Sequence, residues 1–289
     1  MFNYFATVLV FFIYNLLTAV AANLTIGYLG LFNLGLIAFV GIGAYSYALV
    51  TKAGLGFWPA ALLAIVLPGL FAIALQLITK KLKGDYFGIA TLGFTYVVFA
   101  ILINSEFSNG AFGIAGIAKP VLFGYVFNTP GEFLLFSTIV LLIVLAIVWK
   151  LVHSRFGKLM EAIRDDEVSV KVLGKNTNAV KYKVLFFAGA ICGLAGLIFA
   201  SFITFIDPYS FLLQPLIVIL TIAILGGLAS FWGPILGAAI ITTIPEVLRF
   251  VGLPSSILGP ARILIYAIIL IAVLIYWPKG VFGRIKYDT

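Results

Sequence analysis

The feature that most constrains this chain is a succession of apolar runs long enough to cross a bilayer. Nine stretches read as hydrophobic spans: Tyr4–Ala22, Leu34–Val50, Trp58–Thr79, Tyr86–Asn104, Phe133–Val152, Val184–Thr204, Leu212–Leu228, Pro234–Phe250 and Ile263–Trp277. Roughly 18–20 apolar residues in a helix cover a hydrocarbon core of about 30 Å. Hydrophobic residues make up 63% of the 289 and charged residues 10%, against about 45–50% and about 25% in a soluble domain. No soluble core needs that much apolar surface. The expectation is an all-α polytopic membrane protein with about nine transmembrane helices (8–10), forming a single transmembrane domain over residues 1–289. Glycines crowd the second and seventh spans, which can be broken or re-entrant. The first twenty residues lack a basic segment and a small-residue cleavage site, so they read as a retained span.

Charge sets the expected orientation. Three lysines in 80–83, eight Lys/Arg between Lys150 and Lys183, and Lys279, Arg284 and Lys286 in the tail together hold fourteen of the eighteen basic residues. Nine spans with the N-terminus outside and the C-terminus inside put all three groups in the cytoplasm, as the positive-inside bias requires. The net charge of +8 therefore speaks of topology and membrane lipid, and nucleic acid is not expected as a partner.

The segment from Lys150 to Lys183 also carries four acids and the single His153. Within it, Lys158 to Leu173 has neither Pro nor Gly, and Met160, Ile163, Val170 and Leu173 form a partial apolar stripe at helical spacing. Gly174 follows as the expected residue after the helix end, and Thr177 and Asn178 are placed to cap the next helix. A short amphipathic cytoplasmic helix within a loop at 154–176 is the expectation. A solvated connector is the plain alternative. The loop is longer than a connection needs and keeps apolar side chains, which argues for a groove in a partner.

In the sixth span Gly189, Gly193, Gly196 and Ala200 recur at spacings of 4, 3 and 4 on one face. Small residues so placed let helices touch backbone to backbone. The run Gly27–Gly35 between the first two spans either packs helices closely or lines a cavity with non-helical backbone. Its last glycine begins Gly35–Gly41, which echoes Gly227–Gly233 at four of seven positions. The Gly- and Phe-rich segment from Ser105 to Glu132 either caps the outer mouth, forms a docking face, or simply packs.

Enzyme chemistry is not expected. One His excludes a His cluster or a Ser–His–acid triad, and the lone Cys192 reads as a packing residue. No phosphate-binding G-x-x-x-x-G-K-[ST] loop is present, so any ATP must be bound by another polypeptide. No metal and no cofactor are expected on this chain. Asp207, Glu246, Arg249 and Arg262 fall near the outer face and read as external docking or gating charges, or as ion pairs at the rim. Neutral polar residues, Asn23, Asn33, Thr91, Thr95 and Thr221, are the candidates for a solute path.

The chain resembles the LivM-type permease subunit of branched-chain amino acid ABC importers over nearly its whole length. The carrying segments are Gly27–Gly35, Gly41–Tyr45, Gly84–Phe94, Ser154–Gly157, Glu161–Arg164, Gly193–Gly196, Gly226–Gly227 and Trp277–Gly280. The resemblance implies an ATP-driven importer in the prokaryotic plasma (inner) membrane, with multi-pass permeases working by alternating access. Its partners would be ABC ATPase subunits that hold ATP and Mg, a second related permease subunit and an external substrate-binding protein. The coupling helix that sits in the ATPase groove would fall on Glu161, Ala162, Ile163, Arg164, Glu167, Leu173 and Gly174. Two departures bear on the cargo: Leu36 stands where many relatives have His, and Ser108-Asn-Gly110 stands where they have a Thr-Gly-Gly-like run. Another small polar solute (an amide, urea or a sugar) is thus an alternative, as is a secondary transporter driven by an ion gradient.

Overall fold

A computed structural model describes residues 2–82, 84–122, 124–250, 255–276 and 280, with the backbone alone for 247–250, 255–263 and 274. Apolar composition along whole helices, not one apolar face, dictates the architecture: these helices are oily all round and stand side by side. Helix α1 (Phe2–Ala22) runs straight into one π-helical turn, Asn23–Tyr28. Irregular backbone follows to Gly35, and then α2 (Leu36–Lys52), α3 (Phe57–Thr79) and α4 (Asp85–Asn104). After α5 (Pro130–Val152) come two short helices, α6 (Arg155–Asp165) and α7 (Glu167–Val172), and then the long α8 (Thr177–Ile203). Helices α9 (Leu213–Gly226), α10 (Gly233–Phe250) and α11 (Ser255–Tyr276) complete the order.

Among the described residues six segments are long and apolar enough to cross a membrane: Phe2–Tyr28, Phe57–Thr79, Asp85–Asn104, Pro130–Val152, Thr177–Ile203 and Pro208–Gly226. Helix α2 is apolar but shorter, as is the stretch Leu264–Val273 within α11. The protein is therefore an all-α polytopic membrane protein, with six segments meeting both criteria where the sequence suggests nine. The second span is not broken. The irregular backbone precedes α2, and the departure from α-geometry lies at the end of the first span.

Helix α8 is the axis of the bundle. It buries 78% of its most apolar stretch, against 33% for α3, α4 and α5, which present their other faces outward. The reason is local. Pro68 inside α3 has no N–H, so the Ala64 carbonyl one turn earlier lacks its helical partner. Gly193 lies against that carbonyl: a Cβ there would stand 2.0 Å from it. On its other side Gly193 faces Gly43 of α2. Gly196 packs on the Val40 carbonyl of α2, and Gly189 on the Pro68 carbonyl of α3. The small residues thus serve two neighbours, and α8 is wedged between α2 and α3.

The segment 105–129 packs over one end of the bundle. Strand β1 (Ile114–Ala115) pairs antiparallel with β4 (Phe205–Ile206), which follows α8, and β2 (Val121–Leu122) forms a hairpin with β3 (Tyr125–Val126). The Tyr47 hydroxyl of α2 donates to the Ala118 carbonyl at 2.9 Å. Thr129 and Glu132 then form a reciprocal cap at the start of α5. The echoing strings Gly35–Gly41 and Gly227–Gly233 are not a structural repeat: the first enters α2, the second is the non-helical link from α9 to α10.

Candidate functional site

The charged segment folds as two helices where the sequence suggests one. Ser154 caps α6, accepting from the Phe156 and Gly157 amides. At Asp166 the backbone leaves the helix (φ −153°, ψ 97°) and its carboxylate accepts from Val168 and Ser169, capping α7. Those hydrogen bonds, the Ser169 hydroxyl first, hold the Asp166 carboxyl below its usual range. Aspartate competes with helix continuation by bonding nearby amides, which is why the single helix divides here. The next helix is capped by Asn176, not by Thr177 or Asn178: its side chain accepts from the Ala179 amide at 3.0 Å.

The apolar stripe divides as well. Met160, Ile163 and Val170 are buried, whereas Leu173 points outward and is 76% exposed. With Val172 at 82% and Val168 at 61% it makes an apolar edge on α7. Ala162 is also exposed, and Gly174 takes the left-handed conformation (φ +74°) that ends α7.

Two charged residues, Arg164 and Glu167, anchor α6 and α7. Arg164 donates from Nη1 to the Gly27 carbonyl at 3.0 Å, and pairs with Asp165 at 2.9 Å. Its stem lies on Gly30, where an added Cβ would meet the Arg164 Cγ at 2.6 Å and where φ is +73°. The last carbonyls of a helix lack intrahelical donors and carry the negative end of its dipole. Arg164 therefore caps the end of the first span from outside it. Glu167 accepts from Lys171 at 3.0 Å, from Lys181 at 2.9 Å and from the Thr177 hydroxyl at 3.0 Å, fastening α7 to the start of α8. Burial alone would raise the Glu167 carboxyl, but the two lysines and the Thr177 hydroxyl outweigh it and bring it down to about 2. Lys181, 8% exposed at its side chain, was not singled out from sequence. A cation on the first turns of a long apolar helix was the signal.

The candidate path residues are all buried, and their described bonds are to backbone. Asn23 donates to the Ser230 carbonyl at 2.7 Å and accepts from the Ala229 amide at 2.9 Å, holding the α9–α10 link against the π turn. Thr91 accepts from the Leu34 amide at 2.9 Å and Thr95 donates to the Leu34 carbonyl at 3.3 Å, satisfying the irregular backbone before α2. Thr221 donates to its own helix at Ile217. Asn33 accepts from the Gly35 amide, while its Nδ2 is buried with no partner among the described residues. Asp207 caps the turn Pro208–Phe211 by accepting from the Ser210 amide and hydroxyl. Glu246 has one buried carboxylate oxygen without a partner among the described residues. The side chains of Arg249 and Arg262 lie outside the described residues.

Among the described residues no three of His, Cys, Asp and Glu come together as a metal site. A groove of about 580 Å³ between α3, α5 and α8 is lined wholly by apolar side chains, among them Phe57, Ile143 and Phe187. A second cavity, about 220 Å³, opens where α5, α6, the π turn and the α9–α10 link meet.

A bundle of apolar helices carrying an anchored charged loop at one end is an architecture that suits a membrane transport component. The comparisons agree. Residues 4–274 match the model of a family described as the branched-chain amino acid transport system / permease component, and the chain belongs to that family. It is 32% identical over 252 residues, 78% of its length, to the high-affinity branched-chain amino acid transport system permease proteins LivM of Salmonella typhimurium and Escherichia coli. The chain spans 59% of the length of those two relatives. A probable LivM permease of Methanocaldococcus jannaschii is 26% identical over 83% of this chain and 69% of its own. The autoinducer 2 import system permease protein LsrC of Yersinia pseudotuberculosis is 27% identical over 58% of this chain and 47% of its own. No solved structure matches.

Proposed function

We propose that this chain is the permease subunit of an ATP-driven ABC importer for branched-chain amino acids. Separate ATPase subunits bind ATP and Mg, a second related permease completes the path, and an external protein delivers the cargo. The observation that carries the reading is the apolar edge of Val168, Val172 and Leu173 on a helix whose opposite side is fastened to the bundle. Water does not favour such an edge, and a groove on a partner does. The whole of residues 1–289 acts as one transmembrane domain, with 154–176 as its coupling loop, and ATP-driven displacement of α6–α7 reaches the spans through Arg164 and Glu167.

The proposed topology has nine spans with the N-terminus outside and the C-terminus inside. Contacts at the two ends of the bundle support it. Phe2 packs at Gly131, and Tyr47 and β4 meet the 105–129 segment, all at one end. The π turn, α6–α7, the α9–α10 link and Gly280 meet at the other, where Gly280 packs on Gly227. Alternation of this kind follows if α2, α10 and α11 also cross. In the path, Asn33 with its unused Nδ2 is the residue best placed to bond a passing carboxylate. Asp207, Glu246, Arg249 and Arg262 would face the binding protein.

The test is purification of the tagged chain in mild detergent with mass spectrometry of what accompanies it. A nucleotide-binding subunit retained by the wild type and lost on Val172→Glu supports the reading. A chain that purifies alone and moves leucine into liposomes under an ion gradient overturns it. The likeness to LsrC favours a second reading, a permease for another small polar solute, which uptake competition would separate.

A further inference from the structure

The 220 Å³ cavity has a chemistry of its own. Its lining combines the aromatic faces of Tyr28, Trp149, Phe231 and Trp232 with two opposite charges, Lys158 and Glu161. The aromatics are ordered against one another: Trp149 meets Phe231 edge-on at 4.8 Å between centroids and carries the His153 ring at 3.8 Å. His153 is fixed in turn by a 2.9 Å bond between its Nδ1 and the Trp149 carbonyl. Lys158 and Glu161 stand three residues apart on α6, so they share one side of that helix. Among the described residues the ion pairs are Arg164–Asp165, Glu167–Lys171 and Glu167–Lys181. Lys158, which is exposed, and Glu161 belong to none of them, so among the described residues neither is held in an ion pair.

We propose that this cavity is a binding site for a free zwitterionic amino acid with an apolar side chain, and that its occupation holds α6 against the α9–α10 link. An ammonium group is stabilised by Glu161 and by the aromatic faces. A carboxylate is stabilised by Lys158, and an aliphatic side chain fills the space between the rings. A simple anion meets Glu161 and a simple cation meets Lys158, so only a ligand carrying both charges satisfies the site. Size agrees: a cavity of ~150 Å³ takes up benzene, so one of about 220 Å³ suits roughly nine non-hydrogen atoms, the number in leucine. The inference rests on the function proposed above, whose topology puts the cavity on the cytoplasmic side. There the imported amino acid accumulates, and filling the site restrains the coupling helix as product builds up.

The chain's four tryptophans include Trp149 and Trp232 at the cavity, so its intrinsic fluorescence reports occupancy. The experiment titrates the detergent-purified full chain with L-leucine, with isovalerate (no ammonium) and with isopentylamine (no carboxylate). Glu161→Gln and Lys158→Gln are compared with wild type, and monodisperse elution establishes that each is folded. The expected result is a saturable change with leucine alone, weakened at least about tenfold by either substitution, as loss of one charge-assisted bond implies. No saturable change at millimolar leucine, or one that survives both substitutions, overturns the site. Binding by a chain that purifies without an ATPase sustains the site while removing the importer reading. An intact importer whose permease gives no such signal removes only the site.

Discussion

Arg164, Asn23 and Glu167 each join segments far apart in sequence, and what their loss would do follows from what each leaves unpaired. Arg164→Gln removes the charge that caps the first span and leaves the Gly27 carbonyl without its donor; Arg164→Glu sets a carboxylate against it. Uptake in cells is expected to be lost in both while the protein still reaches the membrane, and Arg164→Lys should retain part of it. Normal uptake by Arg164→Glu would remove the residue from coupling. Asn23→Leu strands the Ala229 amide and the Ser230 carbonyl in an apolar interior, at about 1–3 kcal/mol for each buried group. A lowered unfolding midpoint in detergent is expected, with Asn23→Gln no substitute because the pair of bonds is geometric. For Glu167 the folded carboxyl lies near 2 and the ordinary value is 4.5. Its folded value is depressed, so its stabilisation is fully present above the ordinary value and is lost as pH falls through about 2. The α7–α8 contact should therefore be insensitive to pH between about 5 and 8. Glu167→Gln should weaken it by about 1–2 kcal/mol, a figure kept small by solvent screening, read as faster proteolysis within the 154–176 loop. The charged loop was legible as a distinct segment outside the spans because charge is rare in this chain. The partners of its residues were not, since nothing local in the sequence relates Arg164 to Gly27 or Asn23 to Ser230.

Elements were more legible than contacts. Each apolar run of the sequence contains a helix, because in hydrocarbon the backbone must satisfy itself and a helix does so within one segment. What the pattern could not carry was the ends. Capping depends on which side chain reaches which amide, so α8 begins at Thr177 under Asn176 rather than at Val184, and Asp166 divides α6 from α7. The glycine face of α8 shows the same division. Its spacing declared close packing, but not that Gly193 would meet α3 at a carbonyl freed by Pro68 while facing Gly43 of α2. The prediction at this scale is that Gly193→Leu disrupts the bundle, since two backbones block the added side chain and neither can rotate away. The expected outcome is aggregation on solubilisation, measured by fluorescence-detected size-exclusion chromatography. Leu194→Ala, at a half-buried neighbouring position, should elute as wild type. A monodisperse Gly193→Leu protein would mean that α8 can move away from α3 at little cost. A coupling route through a rigid central helix would then lose its mechanical basis.

At the scale of the molecule, one physical requirement ties the charge distribution to the fold. The three basic groups can share a side only if the chain alternates between the two ends of the bundle. The contacts of Phe2 with Gly131 and of Gly280 with Gly227 fit the alternation proposed above. On the proposed topology the orientation is a single choice, and the positive-inside bias favours the N-terminus outside. The chain itself offers a clean test, because its one cysteine, Cys192, is buried and gives a silent background for a membrane-impermeant thiol reagent. Phe112 on the 105–129 segment is 84% exposed and Lys175 beyond α7 is exposed, so a cysteine at either is accessible without disturbing packing. Phe112→Cys should label in intact cells. Lys175→Cys should label only once the membrane is opened, as should a cysteine replacing Lys286 in the tail. Labelling of Lys175→Cys in intact cells would put α6 and α7 on the outer face. It would carry the apolar edge of Val172 and Leu173 away from any cytoplasmic ATPase, and with it the coupling assignment and the product site beside Glu161. Labelling of the Lys286 and Lys175 positions from opposite sides would instead leave α6–α7 where coupling needs them and remove one crossing among α8 to α11.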